Sequence, residues 1–151
     1  DFMDNKMINI KYREGGLTVK EKNLVQSGFD DHSNKLSAPT YEKKELCWLG
    51  QNDHGSVVAV LTAELLWDWL YIDELWVDES LRGQGFGRQL MDEAEKFAYA
   101  EKVSGIWLWT QSWQAEGFYQ NLEYQEFVRF PNFPQGHSRI GLRKFVCGSQ
   151  G

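Results

Sequence analysis

The chain has 151 residues, 42% of them apolar and 25% charged, and carries a net charge of −6. That balance excludes a disordered chain, and the lack of any Lys/Arg cluster excludes a protein built to bind a nucleic-acid backbone. The length suits a single domain with its own core, expected over residues 3–147 with 1–2 and 148–151 as tails.

No run of about 18 apolar residues is present, and the N-terminus has no apolar signal segment, so no membrane partner is expected. Cys47 and Cys147 form neither a metal-type spacing nor a disulfide framework. They read as free thiols of a cytoplasmic protein. The aromatic content of 15%, with seven Trp, points to a heavy core or to an aromatic-lined pocket.

In chain order, Met7 to Tyr12 alternates and predicts a first strand. Thr18 followed by Glu21 is a capping-box pattern, so a helix is expected through Leu24 and Val25. Ser27 to Thr40 carries Gly28, Asp30, Asp31, Asn34 and Pro39 and reads as loop or broken helix. Leu46 to Gly50, Ser56 to Trp67 and Trp69 to Val77 read as three strands joined by tight turns, hence antiparallel. Gly85 to Lys102 is an amphipathic helix whose apolar face holds Phe86, Leu90, Ala94, Phe97 and Ala98. A strand follows from Gly105, and the strand–helix–strand order makes it parallel to the one before the helix. A short helix over Gln114 to Leu122 and strands over Tyr124 to Phe130 and Ile140 to Val146 complete the chain.

The most informative stretch is Leu70 to Arg88, a strand running through a glycine-rich loop into a helix. Such a loop exposes unpaired N–H groups at the positive end of a helix dipole and suits a phosphate or pyrophosphate. Gly83, Gly85 and Gly87 give Gly-x-Gly-x-Gly, not the Gly-x-Gly-x-x-Gly of dinucleotide binding, and no Gly-Lys-Ser/Thr follows. Arg82 adds a cation beside the helix start.

Arg82-Gly83-Gln84-Gly85-Phe86-Gly87 resembles the Arg/Gln-x-x-Gly-x-Gly/Ala signature of the GCN5-related N-acetyltransferases, whose loop binds the acetyl-CoA pyrophosphate. Gln114 through Leu122, with Phe118-Tyr119, is similar to a later segment of that family, as are Pro134-Gln135-Gly136-His137 and Leu142-Arg143-Lys144. The resemblance covers roughly residues 45–146 and is of the bacterial small-molecule type. It implies an α/β fold with a mixed, mostly antiparallel sheet splayed around the cofactor and flanked by helices. It also implies a homodimer that uses acetyl-CoA, without a metal, to acetylate a primary amine by direct attack.

The resemblance assigns Leu75, Trp76, Val77, Arg82, Gly83, Gln84, Gly85, Phe86, Gly87 and Arg88 to the cofactor and Tyr119 to protonation of the leaving thiolate. Asp73 and Glu74 interrupt an apolar strand, where carboxylates are costly unless paired or used. Alternation puts the two on opposite faces, and either can receive the ammonium proton. Their strand is similar to that of polyamine acetyltransferases, so the acceptor is expected to be polyamine-like, an amino metabolite or an antibiotic. A peptide amine is the alternative, and a catalytically silent acyl-CoA sensor is another. Trp67, Trp69, Trp76, Trp109 and Trp113 fall around strand ends, where they either pack the core or offer aromatic faces to a cationic amine. Glu64 and His137 are further candidates. Glu123 stands where the family has Gly, so the turn after Tyr119 must either strain or take another path.

Overall fold

Strands of alternating burial pair into one six-stranded sheet in the order β1-β2-β3-β4-β6-β5. In the computed structural model, which describes residues 7–114 and 116–146, they span β1 Lys43–Gln51, β2 Val57–Leu66, β3 Trp69–Val77, β4 Gly105–Gln111, β5 Gln125–Pro131 and β6 Ser138–Phe145. All neighbours are antiparallel except β3 and β4, which are parallel as expected from the crossover helix between them. That helix, α2 (Phe86–Ala100), buries Leu90, Met91, Ala94 and Ala98. They join Leu61, Leu70, Ile72, Ile106, Leu108, Ile140 and Leu142 of the sheet in one core. Each such Leu or Ile contributes about 1.5–3 kcal/mol through burial.

The parallel pair begins at Trp69 and Gly105. A Cβ at Gly105 would lie 2.5 Å from the Trp69 ring and 2.9 Å from the Lys144 carbonyl, so only glycine lets these strands close. The Ser104 hydroxyl and N–H both donate to Asp68, tying the end of the crossover to the β2–β3 turn.

The chain divides into two compact units, Asp1–Thr40 and Tyr41–Gly151. In the first, α1 (Val19–Lys35) starts at the expected capping box: Glu21 N–H donates to Thr18 Oγ1 at 3.2 Å, and Thr18 N–H to Glu21 Oε1 at 2.7 Å. Arg13 pairs with Glu21 at 2.7 Å, and that hydrogen bond above all holds the Glu21 carboxyl down at about 2.

Two expectations fail in this unit. Residues 7–12 form no strand, because no neighbour among the described residues of the unit pairs with them, and Ile8, Ile10 and Tyr12 stay exposed. The helix also runs through Ser27 to Lys35, since one Gly and scattered Asp and Asn cost only a few tenths to about 1 kcal/mol each. Its end comes at Leu36, and Ser37 turns left-handed with φ 57°. Cys147, the two tails and the expected domain ends at 3 and 147 lie outside the described residues.

The short helix α3 (Glu116–Asn121) answers the question about Glu123. Glu123 takes φ 71°, the conformation normally given to Gly. Its N–H donates to Gln120 O at 2.9 Å and the Tyr124 N–H to Tyr119 O at 3.0 Å, which together form a left-handed helix cap. The Tyr119 and Tyr124 rings meet edge-on at 6.1 Å across that cap. The turn therefore keeps the glycine path and carries the strain. Glu123→Gly should raise stability by about 0.5–1 kcal/mol without changing the fold, read as a higher urea midpoint at unchanged slope.

Candidate active site

The pairing of β3 with β4 runs from Trp69–Gly105 to Ile72–Leu108 and stops there. The cause lies on the other side of β3. Thr62 of β2 faces Glu74 while Ala63 faces Ile72, so Asp73 is an extra residue, a bulge. The bulge resets the strand's phase: Leu70 and Ile72 are buried before it, and Leu75 and Val77 pack on the core after it. This corrects the expectation that alternation separates Asp73 from Glu74, because both line one cavity. The two strands part beyond the bulge, and that cavity, of about 850 Å³, occupies the splay.

One end of the cavity is the glycine loop. The Asp78 carboxylate accepts the Ser80 N–H and hydroxyl, which folds a 3-10 turn over Glu79–Leu81 and lowers the Asp78 pKa. Arg82 Nε donates to the Val77 carbonyl at 3.1 Å, fixing the loop to the end of β3. Gly83 and Gly85 turn left-handed, with φ 75° and 88°. Gly85 caps α2 with no side chain, and the first closing bond is Gln89 N–H to Gly85 O at 3.0 Å. The N–H groups of Phe86, Gly87 and Arg88 therefore have no acceptor within the helix, and these residues line the cavity. With the helix dipole behind them and Arg82 and Arg88 beside them, they can hold a diphosphate. Gln84 is not part of the lining, and its amide reaches the Ser80 carbonyl at 3.4 Å.

At the splay itself, Asp73, Glu74, Leu75, Trp76 and Val77 line one wall. Thr62 Oγ1 donates to Glu74 Oε1 at 3.1 Å. Tyr119 and Phe118 of α3 stand across the cavity. Burial pushes the Tyr119 phenol up to about 12, and among the described residues its hydroxyl has no hydrogen-bond partner. Glu64 pairs with Lys43 at 3.6 Å, and the His137 ring lies 4.9 Å from Trp113; neither lines the cavity. Cys47 is a free, exposed thiol. Among the described residues no cluster of His, Cys, Asp or Glu is placed to hold a metal ion, and no helix is long and apolar enough to cross a membrane.

Of the five Trp around strand ends, Trp76 and Trp109 line the cavity. Gln114 and Asn121, inside the segment similar to the family but not picked out there, line it too, and so does Thr110, which nothing in the sequence marks. The only signal for Thr110 is positional. Residues 109–111 stay paired with β6 but follow the last β4 residue paired with β3, and so border whatever fills the gap. Sequence spacing also does not reveal how α3 is held. Lys144 Nζ donates to Glu95 Oε1 at 2.7 Å and to the Leu122 carbonyl at 2.9 Å. The Tyr124 hydroxyl donates to the other Glu95 oxygen at 3.2 Å. This mostly buried network joins β6 and α2 to the C-terminal end of α3, where a cation also complements the helix dipole.

A family model described as the Acetyltransferase (GNAT) family matches residues 19–124, more than half of the chain. The chain belongs to that family. Blasticidin-S acetyltransferase of Streptomyces morookaense is 36% identical over 85 residues, 56% of this chain and 62% of the relative, so the match spans less than two thirds of that protein. An acetyltransferase crystal structure from Bacillus cereus is 28% identical with a TM-score of 0.75, covering 90% of this chain and 98% of that one. A Bacillus anthracis acetyltransferase solved in complex with acetyl coenzyme A shares the fold at 20% identity and a TM-score of 0.60, over 67% of this chain and 62% of that one. The splayed, mostly antiparallel sheet is thus the GNAT architecture that the family resemblance implies.

Two outcomes follow for this GNAT site. Lys144→Met leaves Glu95 mostly buried without its cation and should cost about 2–4 kcal/mol in urea unfolding, with Lys144→Arg restoring part of it. The Tyr119 and Tyr124 phenols both sit above their ordinary value because of burial. Below pH 10 they are protonated in both folded and unfolded states; above it the unfolded chain releases their protons first, so stability falls. For Tyr119 the loss should reach about 2–3 kcal/mol between pH 10 and 12, and Tyr119→Phe should remove that share from the pH–stability curve.

Proposed function

We propose that the protein is an acetyl-CoA-dependent N-acetyltransferase that acetylates a primary amine of a small molecule. The observation that carries this is the cavity that joins the anion-ready loop of Arg82 to Arg88 with the Asp73–Glu74 bulge and the Tyr119 phenol. Family membership and the acetyl-CoA complex of a protein with the same fold support the donor. The Streptomyces relative, named for blasticidin S, supports a small-molecule acceptor over a peptide. The same reading includes a single catalytic domain, a cytoplasmic location and a homodimer, on family resemblance alone.

In this reading the loop N–H groups and Arg82 hold the pyrophosphate, and the thioester lies in the splay with its carbonyl polarised by a backbone N–H near Val77. The acceptor arrives as an ammonium, since alkyl amines titrate near 10, as for Lys. Asp73 or Glu74 receives its proton and passes it to solvent, to which both side chains are exposed. The amine nitrogen then bonds to the carbonyl carbon, the C–S bond breaks, and the products are an N-acetyl amide and CoA thiol. Tyr119, at about 12, is a weaker acid than a thiol of about 8.5. Its phenol therefore steadies the departing sulfur by donating a hydrogen bond, and water completes the proton transfer.

A displacement of Tyr119 by Glu123 would favour the sensor reading. Glu123 instead adopts the left-handed turn, and Tyr119 lines the cavity. The test is CoA release, followed by thiol detection, over a panel of amines. Turnover should appear with at least one small amine. Gly85→Glu should weaken acetyl-CoA binding at least ~10-fold, and Tyr119→Phe should lower kcat ~10- to 100-fold with little change in the KM for acetyl-CoA. Tight acetyl-CoA binding without release to any amine would overturn the enzyme reading, and full turnover by Tyr119→Phe would remove that residue from the mechanism.

A further inference from the structure

The acceptor class can be narrowed, on the acetyl-transfer reading, from a cation that has no counter-ion. Arg139 of β6 is half-buried, and among the described residues it has neither an ion pair nor a side-chain hydrogen bond. Its guanidinium lies over the Trp109 ring at 4.8 Å and the Phe133 ring at 5.4 Å. The two rings lie against the guanidinium carbon, and its N–H donors, the atoms that recognise a carboxylate in bidentate fashion, have no hydrogen-bond partner among the described residues. Trp109 is also a wall of the splay cavity.

The aromatic surface runs on from Trp109 to Trp107, 6.0 Å away, and from Trp107 to Tyr71 at 4.6 Å. Tyr71 reports on both ends of it. Burial raises its phenol first, the Asp73 charge raises it further, the Arg139 charge opposes them, and the Glu64 charge adds a smaller upward push. Asp73, Glu64 and Arg139 therefore all act on one hydroxyl, and among the described residues Arg139 pairs with neither carboxylate; the aromatic rings lie beside them.

We propose that the acceptor is an amino acid or amino-acid conjugate whose carboxylate sits on Arg139, whose carbon chain crosses Trp109, and whose remote amine is presented to Asp73 and Glu74. Arg139 does not line the cavity that holds Asp73 and Glu74 and meets it only through Trp109, so the amine is placed on a different carbon from the carboxylate. The arrangement also disfavours a polyamine, whose second ammonium would meet the guanidinium. A packing role alone would not require a permanent charge here, because an apolar side chain would cover Trp109 without the cost of desolvating a cation.

The experiment compares kcat/KM for Nα-acetyl-lysine, its carboxamide and cadaverine, by thiol detection at saturating acetyl-CoA. The acid should exceed the carboxamide at least ~10-fold, and cadaverine should rank lowest. Arg139→Met should bring the acid-to-carboxamide ratio close to one, while Arg139→Lys, which keeps the charge but not the planar fork, should retain part of it. Thermal melts of both variants report whether the sheet is intact. A carboxamide or diamine used as well as the acid, or a ratio unchanged in Arg139→Met, would overturn this proposal and leave acetyl transfer standing. Release to no amine at all would overturn acetyl transfer itself, and this proposal with it.

Discussion

The site depends on one extra residue in one strand. Without the bulge at Asp73, β3 would continue to pair with β4 past Ile72 and Leu108, and the sheet would close over the space the cavity occupies. The bulge acts in two directions. Along β3 it shifts the alternation, so Leu75 and Val77 stay on the core side while two adjacent carboxylates reach one cavity. Across the sheet it ends the ladder with the neighbour, which leaves backbone groups of two strands facing a gap instead of each other. A sheet that opens in this way needs something polar to meet those groups, and an extended cofactor with amide and thioester groups has the right chemistry.

The chain is acidic overall, yet the loop beside the splay is arranged for an anion. The two facts agree because the attraction is local. Orphan N–H groups at the start of α2, two left-handed glycines and the nearby Arg82 and Arg88 act over a few ångströms, while the net charge of −6 is spread over the surface and screened by salt. The carboxylates lie at the bulge, within β3 before it ends at Val77 and the loop begins. One cavity thereby offers positive potential suited to an anion at one end and negative potential suited to a cation at the other.

Much of this is legible from residue order. The three antiparallel strands, the crossover helix, the parallel strand after it and the capping box at Thr18 all follow from local periodicity and capping chemistry, and all are present. The glycine loop is legible because a backbone anion site needs particular residues at fixed spacing. The bulge is not, since Tyr71 to Leu75 reads as an uninterrupted strand until the partner register is known. Thr110 escapes for the same reason, and Trp109 cannot be told from the core Trp: both matter because of where β3 stops pairing, which is a property of two strands. The strand expected over 7–12 fails in the opposite sense, as alternation without a partner does not make a strand.

Glu123 shows how such a site tolerates a residue that local rules disfavour. A left-handed Glu costs about 1–2 kcal/mol relative to the right-handed helix region. Two backbone hydrogen bonds, the edge-on Tyr119–Tyr124 contact and the Lys144 ammonium on the Leu122 carbonyl converge on that turn from three elements. A single cap bond is worth about 1 kcal/mol, so several together exceed the strain. Lys144 is itself held by Glu95 of α2, the helix whose other end forms the anion loop. The Tyr119 wall and the loop wall of the cavity are therefore braced by the same helix. That common brace explains how a six-residue helix, too short to be stable alone, keeps a phenol fixed against the splay.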